Sequence, residues 1–354
     1  QKKSGEEGYV LNEMAMAASQ SFVLFLIASH MTVSSTMLVL NKAVLKVIPA
    51  PTAVLLAQVG SSALILWLLG KTGTLKVDAF TLPTAKLFFW NALAFMTLLF
   101  TNAKALESAN VEAVIVFRTL SIFVTAYGDF RLLQAQALNT EAIVSLCMVV
   151  FGAIGYVLSD KGFIIKNMFW VFCYGCTNAA YPIVTKMVIR SNDNMTSWGR
   201  TYYNNLMTFM IFLPGMFALG EHTTVAGLED KGDLTVHAIT LLVMSCIWGT
   251  GISFLGFLCL ENVSATTFNV MGNANKMLTL VINSLLWSHH ASIEANFCLA
   301  FSLVGAGFYG EAKRRQGIAE AKAKSANSRS LNDLEARAGS DSESKPQPSL
   351  PSSS

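Results

Sequence analysis

Strongly apolar runs recur along the sequence, at residues 22–41, 52–70, 87–100, 142–158, 206–219 and 239–260. Each is close to the roughly 20 residues a helix needs to cross a bilayer. Within hydrocarbon every backbone N–H and C=O must find its partner inside the spanning structure, so runs of this length and number demand helices. Only 13% of the residues are charged and 53% are hydrophobic, whereas a soluble domain carries about 25% charged residues. The chain is therefore expected to be an all-α polytopic membrane protein. The first run is long and ends in Asn41-Lys42, unlike the short apolar region and small-residue cleavage site of a signal peptide.

Breaks between the runs give ten transmembrane helices, centred near residues 33, 61, 96, 120, 149, 178, 209, 249, 275 and 302. Two pairs of segments resemble each other. "ALESANVEAVIVFR" before helix four matches "CLENVSATTFNVMG" before helix nine through Leu106-Glu107 and Leu260-Glu261, and "MLVLNKAVL" in helix one matches "YPIVTKMVI" in helix six. Two halves of five helices follow. Because five is odd, the second half enters from the opposite face, the inverted-repeat plan of many transporters. The expected organisation is an N-terminal segment at 1–18, repeat one at 19–160, repeat two at 161–315, and a disordered tail at 316–354, whose Ser/Pro/Lys-rich end cannot bury a core.

An even number of helices puts both termini on one side, with Lys71, Lys76, Lys86, Arg131, Arg190, Arg200 and Lys313. The other side holds only Lys46, Lys104, Lys161, Lys166 and Lys231. The positive-inside rule places both termini in the cytosol. All six cysteines fall inside expected spans, and the lone CxxC at Cys173 and Cys176 reads as packing instead of a metal site.

Polar residues on these helices form stripes at spacings of three and four. Helix nine carries Asn269, Gly272, Asn273, Lys276, Thr279 and Asn283; helix four carries Arg118, Ser121, Thr125 and Asp129; helix one offers His30, Ser34 and Asn41; helix eight offers Ser253 beside Gly249, Gly251 and Gly256. Single Ser and Thr residues are explained by helix–helix packing. Arg118 and Lys276 are not, because ionisable groups near mid-span are costly and mark a pathway. Glu107, Asp129 and Asp160 sit near helix ends, and Glu112 is the one acid placed to pair with Arg118. Surplus positive charge implies an anionic ligand. In "GNANK", residues 272–276, Gly272 permits close approach, Lys276 suits a phosphate, and the amides of Asn273 and Asn275 suit hydroxyls or a base edge. Asn204 and Asn205, at the head of the apolar stretch "TYYNNLMTFMIFLP", offer donors and acceptors together, with Tyr202 or Tyr203 to cover an aromatic face.

These residues resemble the nucleotide-sugar transporters of the drug/metabolite transporter superfamily, and within it the GDP-mannose transporters. Tyr202-Tyr203-Asn204-Asn205 resembles the family's Phe-Tyr-Asn-Asn motif, "VMGNANK" its Gly-Ala-Leu-Asn-Lys motif, and "FRTLSIFVTAYGD" its helix four; "GIS" at 251–253 recurs in helix eight. The resemblance implies that Asn204 and Asn205 read guanine, that Gly272, Asn275 and Lys276 hold the sugar diphosphate, and that His30, Ser253 and Phe268 line the cavity. Tyr202 stands for Phe, Asn273-Ala274 for Ala-Leu, and His30 and Phe268 for Tyr. These departures surround the sugar, so guanine is the firmer expectation and mannose the weaker.

The implied activity is Golgi exchange of cytosolic GDP-mannose, or a related GDP-sugar, for lumenal GMP by alternating access. No catalysis, cofactor or metal is expected, and the partners are the nucleotides, membrane lipids and a homodimeric copy, not nucleic acid. Transport of another nucleotide sugar is an alternative, and two further rivals stand beside it. A phosphate or triose-phosphate translocator would use Lys42 and Arg118 equally well but has no need of base-reading amides. A membrane transferase would need an acidic cluster beside His289-His290, and the sequence has none there.

Overall fold

The computed structural model describes residues 2–108, 111–135, 137–159, 168–230, 235–286 and 293–343. Among them are eleven helices: α1 (Lys2–Val47), α2 (Pro51–Lys71), α3 (Leu82–Ser108), α4 (Val111–Leu132), α5 (Thr140–Ser159), α6 (Met168–Ser191), α7 (Ser197–Ala218), α8 (Glu221–Asp230), α9 (Val236–Asn262), α10 (Ala265–Leu286) and α11 (Ile293–Glu343). No strand occurs among the described residues. Each expected helix centre falls inside one of these helices, and α8 is additional. It bends by 80° from α7, through Gly220 at φ 71°, a conformation that side chains with a Cβ rarely adopt. Glu221 on α8 accepts the backbone N–H of Ala53 at 2.9 Å, which satisfies one of the unpaired donors in the first turn of α2.

By length and composition, Ser21–Val47, Pro51–Lys71, Leu82–Ala105 and Val236–Asn262 can each cross a membrane, and α7 with α8 is a bent fifth candidate. Large apolar side chains face outward along the bundle, among them Phe25, Phe151 and Phe169 at 66–67% exposure. A water-soluble monomer rarely presents so much apolar surface; a lipid-facing bundle must.

The chain divides into two units, Gln1–Tyr309 and Gly310–Ser354. In the first, α3 packs most broadly on α6, followed by α1 on α9, α4 on α6 and α2 on α7, and then by α3 on α7 and α2 on α9. The contact of α4 with α6 is wide, whereas that of α1 with α10 is slight. In the second unit the described residues complete α11, where Ala, Lys and Arg favour a helix without needing a core, and Glu311 accepts hydrogen bonds from Arg314 (2.7 Å) and Arg315 (2.9 Å).

One end of the first unit is fastened by polar contacts between helix ends. Asp129 at the end of α4 accepts both the backbone N–H (2.6 Å) and the hydroxyl (2.5 Å) of Thr266 at the start of α10. Arg190 on α6 donates to the carbonyl of Leu133. Arg200 on α7 is fully buried, donates to Asn192 O at 3.1 Å, and places Nη1 2.8 Å from Glu261 Oε2 as an ion pair; that contact falls short of hydrogen-bond alignment, because Nη1 and Nε carry no hydrogen bond.

Candidate substrate site

The start of α7 is built on the segment between α2 and α3. Thr196 caps α7 by accepting Gly199 N–H at 3.1 Å, and is itself held by Asp78, which accepts its backbone N–H (2.9 Å) and its hydroxyl (2.6 Å). A Cβ at Gly199 would collide with Asp78. The Tyr203 hydroxyl donates to Ala79 O at 2.6 Å and accepts Thr81 N–H at 2.5 Å, and its ring stacks between Phe80 and Phe88. The two rings that open this helix therefore have structural partners here. Tyr202 packs edge-on against Tyr203 with ring centroids 5.7 Å apart, and neither ring lines the cavity described next.

One turn deeper, a cavity of about 240 Å³ lies between α1, α2, α3, α6, α7, α9 and α10. His30, Asn204, Asn205, Ser253 and Phe268, all singled out in the sequence, line it together. The His30 and Phe268 rings meet with centroids 5.3 Å apart. Asn205 is held at both ends of its amide: Nδ2 donates to Ser62 Oγ at 2.7 Å and Oδ1 accepts from Ser253 Oγ at 3.1 Å. One N–H and one lone pair remain for a ligand. Asn204 Oδ1 accepts from Asn91 Nδ2 at 2.7 Å.

A second group lies on α4 and α10. Phe268, Gly272 and Lys276 fall on successive turns of one face of α10, so Lys276 lies about 12 Å along the axis from the cavity wall. Among the described residues the charged groups that act on Lys276 are Arg118 and Lys42, both positive. Among the described residues neither Lys276 nor Arg118 has a carboxylate at ion-pair distance; the side chain of Glu112 lies outside the described residues. Arg118 donates to the Tyr174 hydroxyl at 3.1 Å, while its buried Nε has no hydrogen-bond partner. Gly272 makes room for this guanidinium, since an added Cβ would lie 3.3 Å from Arg118 Nη2.

The remaining amides of α10 are engaged within the helix or by its neighbours. Asn273 donates to Asn269 O (2.9 Å) and Oδ1 (3.0 Å), Asn269 donates to Thr125 (2.7 Å), and Asn178 donates to Asn269 (3.2 Å) and Ser121 (2.7 Å). Asn275 accepts from Ser35 on α1 at 2.7 Å. Thr279 and Asn283, like His289-His290, lie outside the residues whose side chains are described.

Sequence reasoning passed over Gln58 and Thr185 of the cavity wall, and Asn91 behind it. Gln58 and Asn91 are lone amides in apolar runs, and the cost of an unpaired amide in hydrocarbon is the signal that could have found them. Gln58 donates to Asn41 (3.0 Å) and Ser245 (3.2 Å). Among the described residues no three His, Cys, Asp or Glu side chains are grouped to hold a metal, and the six cysteines are unpaired.

A cavity lined by amides and rings, with three cations on neighbouring faces of a lipid-facing helical bundle, defines a membrane carrier for a polar anion. Residues 21–310 match the Triose-phosphate Transporter family, and the chain belongs to that family. It is 35% identical to GDP-fucose transporter 1 of Arabidopsis thaliana over 79% of this chain and 83% of that one. It is 29% identical to GDP-mannose transporter GONST3 of the same plant, over 86% and 82% of the two chains. A GDP-mannose transporter of Komagataella pastoris is 25% identical over 57% of this chain and 63% of its own. A solved crystal structure superposes with a TM-score of 0.57 over 84% of this chain and 99% of its own, at 13% identity, a likeness of fold alone.

Proposed function

We propose that the protein is a Golgi antiporter that takes up a cytosolic GDP-sugar, GDP-fucose or GDP-mannose, in exchange for lumenal GMP. The observation that carries this reading is the juxtaposition of two buried amides, Asn204 and Asn205, at a cavity wall with a cationic group of Arg118, Lys276 and Lys42. The amides match a base edge and the cations match the phosphates. The names of the relatives at 35% and 29% identity support a GDP-sugar over a triose phosphate, a ligand that would leave the amides without a role.

In this reading ten helices form two inverted repeats, α1–α5 and α6–α11 with α8 inserted, and both termini are cytosolic. The paired contacts of α3 with α6 and α1 with α9 support it, as do those of α3 with α7 and α2 with α9. In an inverted repeat the wide α4–α6 contact and the slight α1–α10 contact are equivalents, and their inequality supports an asymmetric state of the carrier. Exchange follows when the halves rock and the unequal contacts are traded. Cations near mid-span, with no acidic partner among the described residues, favour a loaded carrier over an empty one during the crossing.

The test is reconstitution of the purified chain in liposomes preloaded with GMP, with uptake of labelled GDP-fucose, GDP-mannose, UDP-galactose and inorganic phosphate compared. GDP-sugar uptake that requires internal GMP is expected. Phosphate exchange without nucleotide exchange would overturn the proposal and favour the sugar-phosphate reading.

A further inference from the structure

From the cavity wall to the residue behind it, three side chains on three helices form one hydrogen-bonded chain. Thr185 on α6 donates to Asn91 Oδ1 at 2.8 Å, and Asn91 on α3, with no solvent exposure, donates through Nδ2 to Asn204 Oδ1 at 2.7 Å. The direction of this chain has a chemical consequence. Once Thr185 occupies the Asn91 oxygen, only the Asn91 NH₂ is left to face Asn204, so the Asn204 oxygen must turn toward α3. Asn204 Nδ2, which has no partner among the described residues, is then the group left for the cavity that Asn204 lines.

We propose that Asn91 and Thr185 are positioning residues that select purines by fixing a donor, not an acceptor, at the cavity end of Asn204. This rests on the reading of the cavity as a base site. A donor there matches a purine with an oxo group at position 6 and mismatches one with an amino group. The alternative register is within reach, because Thr185 Oγ1, with its single proton, also lies 2.9 Å from Tyr181 O. Were it spent on Tyr181, the hydroxyl could only accept from Asn91, both amides would turn over, and Asn204 would present its oxygen to the ligand. The same constellation would then suit a 6-amino purine. Packing alone does not require the observed direction; the ligand chemistry does.

The test uses the full chain purified in detergent, with equilibrium dissociation constants for IMP and AMP, which differ at position 6 and at the adjacent N1. The wild type is expected to prefer IMP. Asn91→Leu frees the Asn204 amide to turn, and the AMP-to-IMP ratio of dissociation constants should fall about tenfold, the effect of one buried hydrogen bond. Thr185→Val should lower the same ratio by a smaller factor, and Thr185→Ser should restore it; this pair serves if Asn91→Leu does not fold. Equal weakening of IMP and AMP, with the wild-type ratio kept in both Asn91→Leu and Thr185→Val, overturns the inference and leaves Asn91 a packing residue. A wild type that binds IMP and AMP equally would overturn the base-site reading itself and this inference with it.

Discussion

Lys186 of α6 places its Nζ 2.9 Å from the carbonyl oxygen of Val263, just past the end of α9. The same ammonium reaches Glu261 O at 3.1 Å and Leu260 O. The last carbonyls of a helix have no partners of their own and carry its negative pole, so this lysine closes α9 from outside and binds α6 to it. Asp129 with Thr266 and Arg190 with Leu133 act at the same end. Removing the contact should therefore loosen one end of the bundle, where Leu260 also borders the cavity.

Lys186→Met is expected to lower stability of the nucleotide-free protein by about 2 kcal/mol, the loss of charged hydrogen bonds to partly buried carbonyls. In a background lacking the native cysteines, a cysteine at Ile189 should react faster with a membrane-impermeant thiol reagent in the variant. Unchanged labelling would show that the end is held shut by other contacts.

Asn205→Ala is expected to weaken GMP and GDP-sugar binding alike by about 1–3 kcal/mol, since the base loses one polar partner. The structure adds a further effect, because Ser62 and Ser253 lose their common partner and the empty protein should also melt lower. Ser253→Ala, which keeps the amide and its Ser62 contact, should weaken binding less. Titration of GMP against each variant decides the point, and wild-type affinity in Asn205→Ala would remove that residue from the site.

Lys276→Ala should abolish exchange while the protein folds. Among the described residues the charges that act on Lys276 are those of Arg118 and Lys42, both of the same sign, so its removal relieves repulsion and the melting temperature of the empty protein should hold or rise. A marked fall in melting temperature would instead identify Lys276 as part of a structural ion pair.

How far the sequence foretold this arrangement depended on whether a residue's role was set by its own helix. Asn204, Asn205 and His30 are costly on any lipid-facing helix, so their presence in apolar runs already pointed inward. Gln58 and Asn91 carry the same cost but stand alone, without a stripe to draw attention, and their partners come from other helices. Tyr203 illustrates the opposite difficulty. Its aromatic ring suited a base, yet residues 76–81 pass over it and take both its hydroxyl and its ring, a crossing that no local pattern records. Helix α8 was hidden for a related reason: it is too short and polar to resemble a span, and its anchor, Glu221, acts on the distant start of α2.

The last prediction fixes orientation, and it uses two acceptor sequences for N-linked glycan, Asn194-Met195-Thr196 and Asn262-Val263-Ser264. Both asparagines are exposed, and they lie at the end where Lys186, Arg190 and Arg200 gather with Glu261. In the proposed orientation, which rests on the distribution of Lys and Arg, that end faces the cytosol, whereas glycan is transferred only on the lumenal face. Neither site should therefore carry glycan when the protein is expressed in a eukaryotic host, and mass spectrometry of the tryptic peptides would check it. Asn262 is the weaker reporter, because its Nδ2 donates to Leu258 O at 2.8 Å on the last turn of α9 and the membrane lies close. Asn194 stands in the connection between α6 and α7 and is the decisive one. A glycan mapped to Asn194 would place the end closed by Lys186 in the lumen and invert the proposed orientation.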